Sequence, residues 1–572
     1  MGQQNRAEMN ETATTGKTGG QLIVQALLEQ GVETVFCVPG ESYLDVLDAL
    51  HGASPAVNVV SCRQEGGAAF MAEAHGKLTG RPGVCMVTRG PGATNASIGV
   101  HTAFQDSTPM VLLVGQVGRD MIEREAFQEI DYRRMFGEFT KWVAQIDDPA
   151  RVPEFMARAF SVAMSGRPGP VVLALPEDML TATANVAGTG PVDVPRAHPD
   201  PTALAAMQSL LAGARRPLMI VGGSCWNDAG LAGLVCFAQR NGLPVAASFR
   251  RQDLYDNTDD LYVGEVGIGL NPKLADAIRD ADVILAVGAR LGEMVTGGYT
   301  LLRPPVARQT LIHVLAEPEE LGRVYQPALK IQADLNAFAM TAAACAPVDG
   351  TRWAAHRAAL RAGYLRYTEP PGIDAALDPA KVILAMREQL APDAIVTNGA
   401  GNYSAWAHRY YRFRRPRTQL APTSGAMGYG VPAAIAAKLR HPGRQVVCLA
   451  GDGCFLMTSQ ELATVGRHQL DVVFIVFNNG MYGTIRMHQE NRYPGRPMAT
   501  DLHNPDFVMY AQSFGLHAER VGRDDEIAPA LARALSCGRA ALIELVIDPE
   551  TLTPRATLSA LREKALLARQ QA

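Results

Sequence analysis

Two apolar runs, separated by the length of a short helix, constrain the fold of this chain more than any other feature. The runs are QVVCLA (445–450) and DVVFIVF (471–477). Near-continuous apolar runs of this length are typical of parallel strands that are buried on both faces of a sheet. We therefore predict two neighbouring parallel strands joined by a helix, with Thr458 and Glu461 forming a capping box where that helix begins.

Side chains that can bind a metal follow both predicted strands. Asp452 lies between Gly451 and Gly453 after the first strand, and Asn478 and Asn479 lie at the end of the second. In open α/β sheets, ligands bind beyond the carboxyl ends of the strands. Carboxylate, amide and main-chain carbonyl oxygens suit Mg²⁺, which proteins commonly share with phosphate oxygens. The pattern therefore predicts a site for a diphosphate held through a divalent cation, with Gly451 and Gly453 as cofactor-binding positions where the backbone can approach closely.

An early segment carries a carboxylate at a junction between a strand and a helix. The stretch VNVVSCRQEGGAAFMAEAHGKLTG (57–80) predicts a strand, a turn at Glu65-Gly66-Gly67 and a helix. One interpretation is that Glu65 only interacts with the dipole of the helix that it precedes, and the other is that it takes part in catalysis. Nearby, GVCMVTRGPGATN (83–95) predicts a buried strand that runs into a tight turn.

The two regions together resemble a known family. A GDG followed by 24 residues and then NN resembles the thiamin diphosphate motif, and the resemblance to acetolactate synthases and their relatives covers most of residues 18–550. It implies thiamin diphosphate and Mg²⁺ as cofactors, with Asp452, Asn479 and the main-chain carbonyl of Met481 as the metal ligands. It also implies that Glu65 activates the cofactor through its aminopyrimidine ring.

The same resemblance assigns roles to further residues. In TSGAMGYGVPAA, Met427 would hold the two cofactor rings in a bent conformation, although core packing is the alternative, and Gly425 would offer its carbonyl to the aminopyrimidine. In NGAGNYSAW, Gly401 and Asn402 would contact the diphosphate. Three residues match segments that line the substrate entrance, with general packing as the open alternative: Gln116, Phe127 and Gln128.

Recurring strand and helix signals predict an α/β chain of three doubly wound parallel-sheet domains. The length of 572 residues agrees with several domains, because single cores stop growing near about 250–300 residues. By resemblance these are pyrimidine-binding, central and diphosphate-binding domains. The predicted boundaries are a disordered tail at 1–17, the pyrimidine-binding domain at 18–181, the central domain at 202–346, the diphosphate-binding domain at 380–552 and a C-terminal helical tail at 553–572.

The central domain leaves its ligand open. Its segments GGS (222–224) and GARLGEMVTGGY (288–299) resemble the region in which acetolactate synthases hold FAD, with Gly223, Gly288 and Arg290 as the implied contacts. Relatives use this domain for FAD, for ADP or for no ligand, and glycine-rich strand ends also occur in domains that bind nothing.

Three departures from the family pattern concern the acceptor substrate. An aspartate-arginine pair of the family is Glu293-Met294 here, the lysine of LPKD is Glu177, and a tryptophan is His488, which we predict to lie in a loop. Loss of the arginine removes a planar, bidentate carboxylate binder, so selection of a second 2-oxo acid as acceptor is expected to weaken.

The resemblance implies decarboxylation of a 2-oxo acid such as pyruvate and transfer of the resulting acyl carbanion to a second carbonyl, as in an acetolactate synthase-like carboligase. Aldehyde or ketone acceptors stay open. One alternative is a simple 2-oxo acid decarboxylase or an oxalyl-CoA decarboxylase-like lyase, although the chain has no adjacent His-His pair for a pyruvate decarboxylase-like proton relay. Another is a nucleotide-binding protein that kept the fold without catalysis.

Partners and location follow from the resemblance and from composition. Because the family joins its first and last domains across a subunit interface, we expect a homodimer assembled as a homotetramer; a regulatory subunit is left open. A net charge of −4 gives no reason to propose nucleic acid, and no apolar run is long enough to cross a bilayer. The N-terminal residues are polar and lack the apolar region typical of a secretory signal, and nine cysteines without CxxC pairs predict reduced thiols, so we expect a cytoplasmic location.

Overall fold

The chain folds into three parallel six-stranded sheets, each covered by helices. The computed structural model describes residues 16–571. It confirms the predicted α/β class with three doubly wound sheets, while the domain boundaries stay predictions. Most of the predicted N-terminal tail, residues 1–15, lies outside the described residues. Between residues 16 and 571, no helix is both long enough and apolar enough to cross a membrane.

The first sheet forms from buried runs such as MVLLVGQ. Its strands are β2 (Thr34–Cys37), β3 (Asn58–Ser61), β4 (Gly83–Val87), β5 (Met110–Gln116), β6 (Trp142–Gln145) and β7 (Pro170–Pro176). Two short strands, β1 (Lys17–Thr18) and β8 (Thr183–Ala184), form a separate pair. Their helices are α1 (Gly19–Glu29), α2 (Leu44–Ala53), α3 (Glu65–Thr79), α4 (Gly90–Asp106), α5 (Tyr132–Phe136), α6 (Val152–Met164) and α7 (Glu177–Thr181). The parallel order is β3-β2-β4-β5-β7-β6, and β1 pairs with β8 in antiparallel fashion.

The central sheet has the order β11-β10-β9-β12-β13-β14. Its strands are β9 (Leu218–Val221), β10 (Val245–Ser248), β11 (Tyr262–Val266), β12 (Val283–Val287), β13 (Thr310–Leu315) and β14 (Leu329–Gln332). Its helices are α8 (Pro201–Gly213), α9 (Asp228–Asn241), α10 (Pro272–Asp280), α11 (Glu293–Thr296), α12 (Leu335–Ala344) and α13 (Ala354–Tyr367). Helix α13 lies between the predicted bounds of the central and diphosphate-binding domains, and its Tyr364 packs edge-on against Tyr262 with ring centroids 5.2 Å apart.

The third sheet has the order β16-β15-β17-β18-β20-β19. Its strands are β15 (Ile395–Asn398), β16 (Gln419–Leu420), β17 (Val446–Gly451), β18 (Val473–Asn478), β19 (His517–Val521) and β20 (Ala541–Val546). Its helices are α14 (Pro379–Gln389), α15 (Ser404–Tyr410), α16 (Gly430–Arg440), α17 (Asp452–Leu456), α18 (Leu462–Arg467), α19 (Gly483–Arg492), α20 (Phe507–Ser513), α21 (Asp524–Ser536) and α22 (Leu558–Gln570). As predicted, β17 and β18 are parallel neighbours.

The first and third sheets share one apolar core. Helices α3 and α16 pack against each other through small residues such as Ala72 and Ala433, and Phe70 meets Tyr429 edge-on at 5.5 Å. Removing this face from water on both helices stabilises the contact. The two outer sheets are therefore packed as one body within the chain.

Buried charges lie at the same contact. Lys77 pairs with Glu73 at 3.1 Å and with Asp106, and all three side chains are at most 4 % exposed. Asp106 also accepts from the backbone nitrogen of Thr423 at 2.8 Å, and the hydroxyl of Tyr429 donates to Glu73. Buried charges are tolerated when they are paired and hydrogen-bonded, as these are.

The predicted capping box is wrong. A short 3₁₀ turn (Ser459–Glu461) stands where the helix was expected to begin, and the Thr458 hydroxyl donates to the Gly428 carbonyl at 2.7 Å instead of capping. The Glu461 carboxylate accepts from the backbone nitrogens of Arg63 and Gln64. Tertiary partners replace the local ones because the fold buries both side chains.

Candidate active site

A pocket of about 250 Å³ opens at the carboxyl ends of β15, β17 and β18. The chain order in the third sheet reverses between β15 and β17, which is the kind of switch point where open α/β sheets bind ligands. Residues predicted to bind the cofactor or metal line it together: Gly401, Asn402, Gly425, Met427, Gly451, Asp452, Gly453, Asn479 and Met481.

Asp452 is the buried carboxylate of this pocket, with 2 % of its surface exposed. Burial raises the pKa of Asp452, whereas hydrogen bonds to the carboxylate oppose that rise. Its Oδ1 accepts from Gly453 at 2.9 Å, and its Oδ2 accepts from Gly480 at 2.9 Å and from the side-chain amide of Asn504 at 2.8 Å. These donors fix the carboxylate at the end of β17.

Asn504 belongs to this cluster, although the sequence analysis missed it. Its amide also donates to Asn478 Oδ1 at 2.9 Å, and its own Oδ1 is buried without a hydrogen-bond partner among residues 16–571. A bridge between Met481 and Asp501 brings this segment alongside β18. No motif marks Asn504, because it lies in an irregular segment that only the tertiary fold brings here.

The atoms at this edge that could ligate a metal are oxygens of several chemical types. Asn479 Oδ1 accepts from the Met481 nitrogen at 3.3 Å, and the Met481 carbonyl accepts from Gly483 at 2.9 Å. Across residues 16–571, no cluster of three or more His, Cys, Asp or Glu side chains could hold a metal ion. A cation here would rely on one carboxylate with amide and carbonyl oxygens, which is a hard-oxygen set that suits Mg²⁺.

Met427 and Gly425 also line the pocket. Met427 is half-buried and packs against the apolar core of the third sheet, which gives it a fixed place as well as an exposed edge. Gly425 has a φ of 72°, in the left-handed region that glycine adopts without strain.

The predicted residues of the first sheet do not line this pocket. Glu65 begins α3 at the carboxyl edge of that sheet, is half-buried and accepts from the Asn95 side chain at 2.9 Å. Gln116 ends β5, and its amide donates to the Ile130 carbonyl at 3.0 Å. None of the residues that line the 250 Å³ pocket comes from the described part of the chain before Pro379. One copy therefore brings the two groups of predicted residues to separate edges.

A loop beside Gln116 carries the other two entrance residues. The Phe127 side chain is 73 % exposed, and the Oε1 atom of Gln128 is buried without a partner among the described residues. Arg89 donates to the Phe127 carbonyl at 3.2 Å and pairs with Glu177 at 3.0 Å. Arg89, which follows β4, thus places a cation beside Glu177, a contact that no sequence motif marked.

A second cavity, of about 530 Å³, lies between the central sheet and the first and third sheets. Gly223, Gly288 and Arg290 line it, and so does Met294. Arg290 pairs with Glu320 at 3.0 Å, and Glu320 also pairs with Arg167. His488 lines neither cavity: it is exposed on α19, so its predicted place in a loop is wrong.

Comparison with known proteins gives matches along most of the chain. Residues 17–135 match the thiamine pyrophosphate enzyme N-terminal TPP binding domain, and residues 204–341 match the central domain of the same enzymes. Residues 399–545 match the C-terminal TPP binding domain. The three matches follow the order of the three sheets.

Three relatives are similar over nearly their whole lengths. The acetolactate synthase large subunit of Corynebacterium glutamicum is 33 % identical over 551 residues, covering 93 % of this chain and 87 % of the relative. The acetolactate synthase isozyme 2 large subunit of Escherichia coli is 33 % identical, covering 93 % and 95 %. The acetolactate synthase large subunit of Parasynechococcus marenigrum is 35 % identical, covering 92 % and 87 %.

Proposed function

The chain belongs to the thiamine pyrophosphate enzyme family, and from that premise we propose that it is a carboligase dependent on thiamin diphosphate and Mg²⁺. It decarboxylates a 2-oxo acid such as pyruvate and joins the acyl unit to a second carbonyl, and the similarity to acetolactate synthases supports this assignment. The observation that carries this proposal is the 250 Å³ pocket, because it gathers the predicted metal and diphosphate residues around buried Asp452.

The residues of the pocket fit the two cofactors. Asp452, Asn479 and the Met481 carbonyl would hold Mg²⁺, and the buried, unpartnered Oδ1 of Asn504 adds an oxygen beside them. Gly401 and Asn402 would contact the diphosphate. When bound, thiamin diphosphate supplies the electron sink that a 2-oxo acid needs in order to lose CO₂.

The chain's own residues orient the reaction and control its protons. Glu65 would exchange a proton with the aminopyrimidine ring, which requires its carboxyl at hydrogen-bond distance. Met427 would prop the bent conformation, and Gly425 would accept from the ring through its carbonyl. Met427 is half-buried there, which supports water exclusion at the reacting centre.

We propose a homodimer as the smallest active form, assembled as a homotetramer. Glu65 lies outside the pocket of its own chain, so a single copy offers the cofactor no activating carboxylate there. A second copy would supply it by docking the carboxyl edge of its first sheet, where the exposed Phe127 side chain would be covered. Sedimentation that found an active, cofactor-loaded monomer would refute this.

The acceptor is the open part of the proposal. A second 2-oxo acid, giving acetolactate, is the default acceptor, but Met294 in place of an arginine leaves no bidentate carboxylate binder at that position, so an aldehyde or ketone acceptor is nearly as well supported. The test is incubation with pyruvate, thiamin diphosphate and Mg²⁺, alone and with added carbonyl acceptors, with CO₂ release and product mass as readouts. Acetolactate, acetoin or a mixed acyloin supports the proposal, whereas acetaldehyde alone would replace it with a simple decarboxylase.

The 530 Å³ cavity would hold FAD. Its arginines, among them Arg167 and Arg290, and its glycine-rich turns suit a dinucleotide diphosphate. A purified protein with flavin absorbance supports this, and a colourless protein that gains no thermal stability from added FAD would overturn it. A cytoplasmic location is part of the proposal because all nine cysteines are free thiols.

A further inference from the structure

Glu461 of the third domain contacts the backbone next to Glu65 of the first. Its side chain is fully buried, and Oε1 accepts from the backbone nitrogens of Arg63 at 2.9 Å and Gln64 at 3.1 Å. Its Oε2 accepts from the Thr464 hydroxyl at 2.6 Å. One carboxylate therefore binds the two peptide groups that precede the first residue of α3.

The glycines after Glu65 leave room for this contact. A Cβ on Gly67 would lie 2.8 Å from Glu461 Oε1, and a Cβ on Gly66 would lie 3.2 Å from the Asn95 carbonyl. The first approach is closer than van der Waals contact allows, so a side chain at position 67 would displace the carboxylate. The two glycines thus leave space at the start of α3 for Glu461, next to Gly67, and for helix α4, next to Gly66.

Two further hydrogen bonds complete the local frame. Gln64 caps α3 by accepting from Gly67 at 3.1 Å through its side chain, and Glu65 accepts from Asn95 at 2.9 Å. The backbone that precedes Glu65 is therefore held by Glu461, and the Glu65 carboxylate is held by Asn95. Of these partners, Glu461 is the one that comes from another domain, 398 residues from Arg63.

We propose that Glu461 is a positioning residue for Glu65. It fixes the start of α3, and through it the Glu65 carboxyl, from the same domain that holds the diphosphate pocket of its own chain. The inference rests on the proposed function, in which Glu65 activates the cofactor. A displacement of about 1 Å at a catalytic group can lower the rate about 100-fold. Loss of the contact between Glu461 and the backbone of Arg63 and Gln64, which we call the Glu461 clamp, should therefore have a measurable effect on turnover.

The contact depends on reach more than on charge. Burial raises the pKa of Glu461, and its hydrogen bonds with Thr464, Arg63 and Gln64 oppose that rise. A glutamine has the same length, so its carbonyl oxygen can accept from both backbone nitrogens and its amide can donate to Thr464. An aspartate keeps the charge but is one methylene shorter and cannot span the same gap.

The variants Glu461→Gln and Glu461→Asp therefore separate positioning from charge or proton transfer. We expect Glu461→Gln to keep kcat within about 3-fold, because the neutral amide keeps both hydrogen bonds, and Glu461→Asp to lose about 10- to 100-fold with a smaller change in KM. Thr464→Val is the matched control, since it removes only the hydroxyl at Oε2. A loss in Glu461→Gln as large as in Glu461→Asp would overturn the proposal.

A double-mutant cycle with Glu65→Gln tests the route of the effect. If Glu461 acts through Glu65, Glu461→Asp lowers the remaining turnover of Glu65→Gln by less than 3-fold, whereas additive losses would refute the proposal.

Amide hydrogen exchange of the full-length protein without cofactor supplies a readout that needs no activity. We expect exchange of the amides of residues 63–67 to speed up in Glu461→Asp and to stay as in the parent in Glu461→Gln. Unchanged exchange in both variants would overturn the clamp. Full turnover in Glu65→Gln alone would instead refute the proposed function and leave the exchange result standing, so the two failures are distinguishable.

Discussion

The side-chain amide of Asn504 donates to Asp452 at 2.8 Å, across 52 residues of sequence. The same amide binds Asn478 at 2.9 Å, so one residue from an irregular segment orients groups after two strands. The metal site proposed here is consequently built from β17, β18 and a loop, rather than from the two strand ends alone.

Replacing Asp452 with asparagine should abolish Mg²⁺-dependent binding of thiamin diphosphate. The change removes the one carboxylate of the oxygen set while keeping its shape. Calorimetry with thiamin diphosphate and Mg²⁺ should report a dissociation constant raised by at least about 100-fold. Asp501→Asn is the control, since that side chain is 86 % exposed. Equal affinity of Asp452→Asn and the parent would exclude the proposed site.

Asn504→Ala should weaken the same binding less severely. Asn504 orients Asp452 through a hydrogen bond, and loss of such a partner typically costs about 10- to 100-fold in metal affinity. The measurement is a Mg²⁺ titration at saturating thiamin diphosphate. An unaltered titration curve would mean that Asn504 has no part in orienting the ligand.

Glu65→Gln should lower kcat by about 10²- to 10⁴-fold, because an amide cannot exchange the proton that a carboxyl exchanges. Cofactor affinity should change by only a few fold, since Glu65 lies outside the diphosphate pocket of its own chain. Steady-state kinetics with pyruvate gives the comparison, with the exposed Glu33 changed to Gln as control. Turnover at the parental rate would disprove the assigned role.

Lys77→Met should destabilise the protein by about 3–5 kcal/mol. Its loss leaves the Glu73 and Asp106 carboxylates buried without their cation. Urea denaturation followed by circular dichroism measures the change. Arg151→Met, in the exposed pair with Glu154, should destabilise the protein far less, because solvent screens surface ion pairs. Similar losses in the two variants would contradict the importance of the buried cluster.

Stability should fall as the pH drops from about 6.5 to about 4. Burial, together with the nearby positive charges of Arg440 and His441, lowers the pKa of His75 from its ordinary value near 6.5 to about 4. Between pH 6.5 and about pH 4, His75 binds a proton in the unfolded chain but stays neutral in the folded chain. The contribution of His75 to the free energy of unfolding is therefore complete above pH 6.5 and is lost on acidification. Urea midpoints across this range should fall less steeply in His75→Phe than in the parent.

The sequence predicts much of the third domain, because its site follows strand ends. Asp452 directly follows β17 and Asn479 directly follows β18. Because the two strands are parallel, the sheet alone brings these residues to the same edge. The glycine-rich turns of the central sheet follow the same rule at Gly223 and Gly288. Periodicity and the edge rule for parallel sheets are sufficient for these residues.

Residues outside that rule could not be predicted. Asn504 and Arg89 act through tertiary contacts that no local pattern encodes, and Thr458 and Glu461 carried a capping signal that buried partners replaced. His488 was assigned to a loop, but the segment after Gly483 continues as α19. In the proposed homodimer, Glu65 would reach the pocket of the other copy, an arrangement that local patterns in the sequence do not encode.

The shared core of the outer sheets limits how this protein can be recombined. Helices α3 and α16 pack closely through alanines. The space beside each of these alanines is therefore already filled by a residue of the other helix, and a larger side chain would not fit. A chimera that took its first domain from one relative and its last from another would need matching side-chain sizes along this seam. Evolution is therefore expected to alter the two faces in step, with an enlarged residue on one helix balanced by a smaller one opposite.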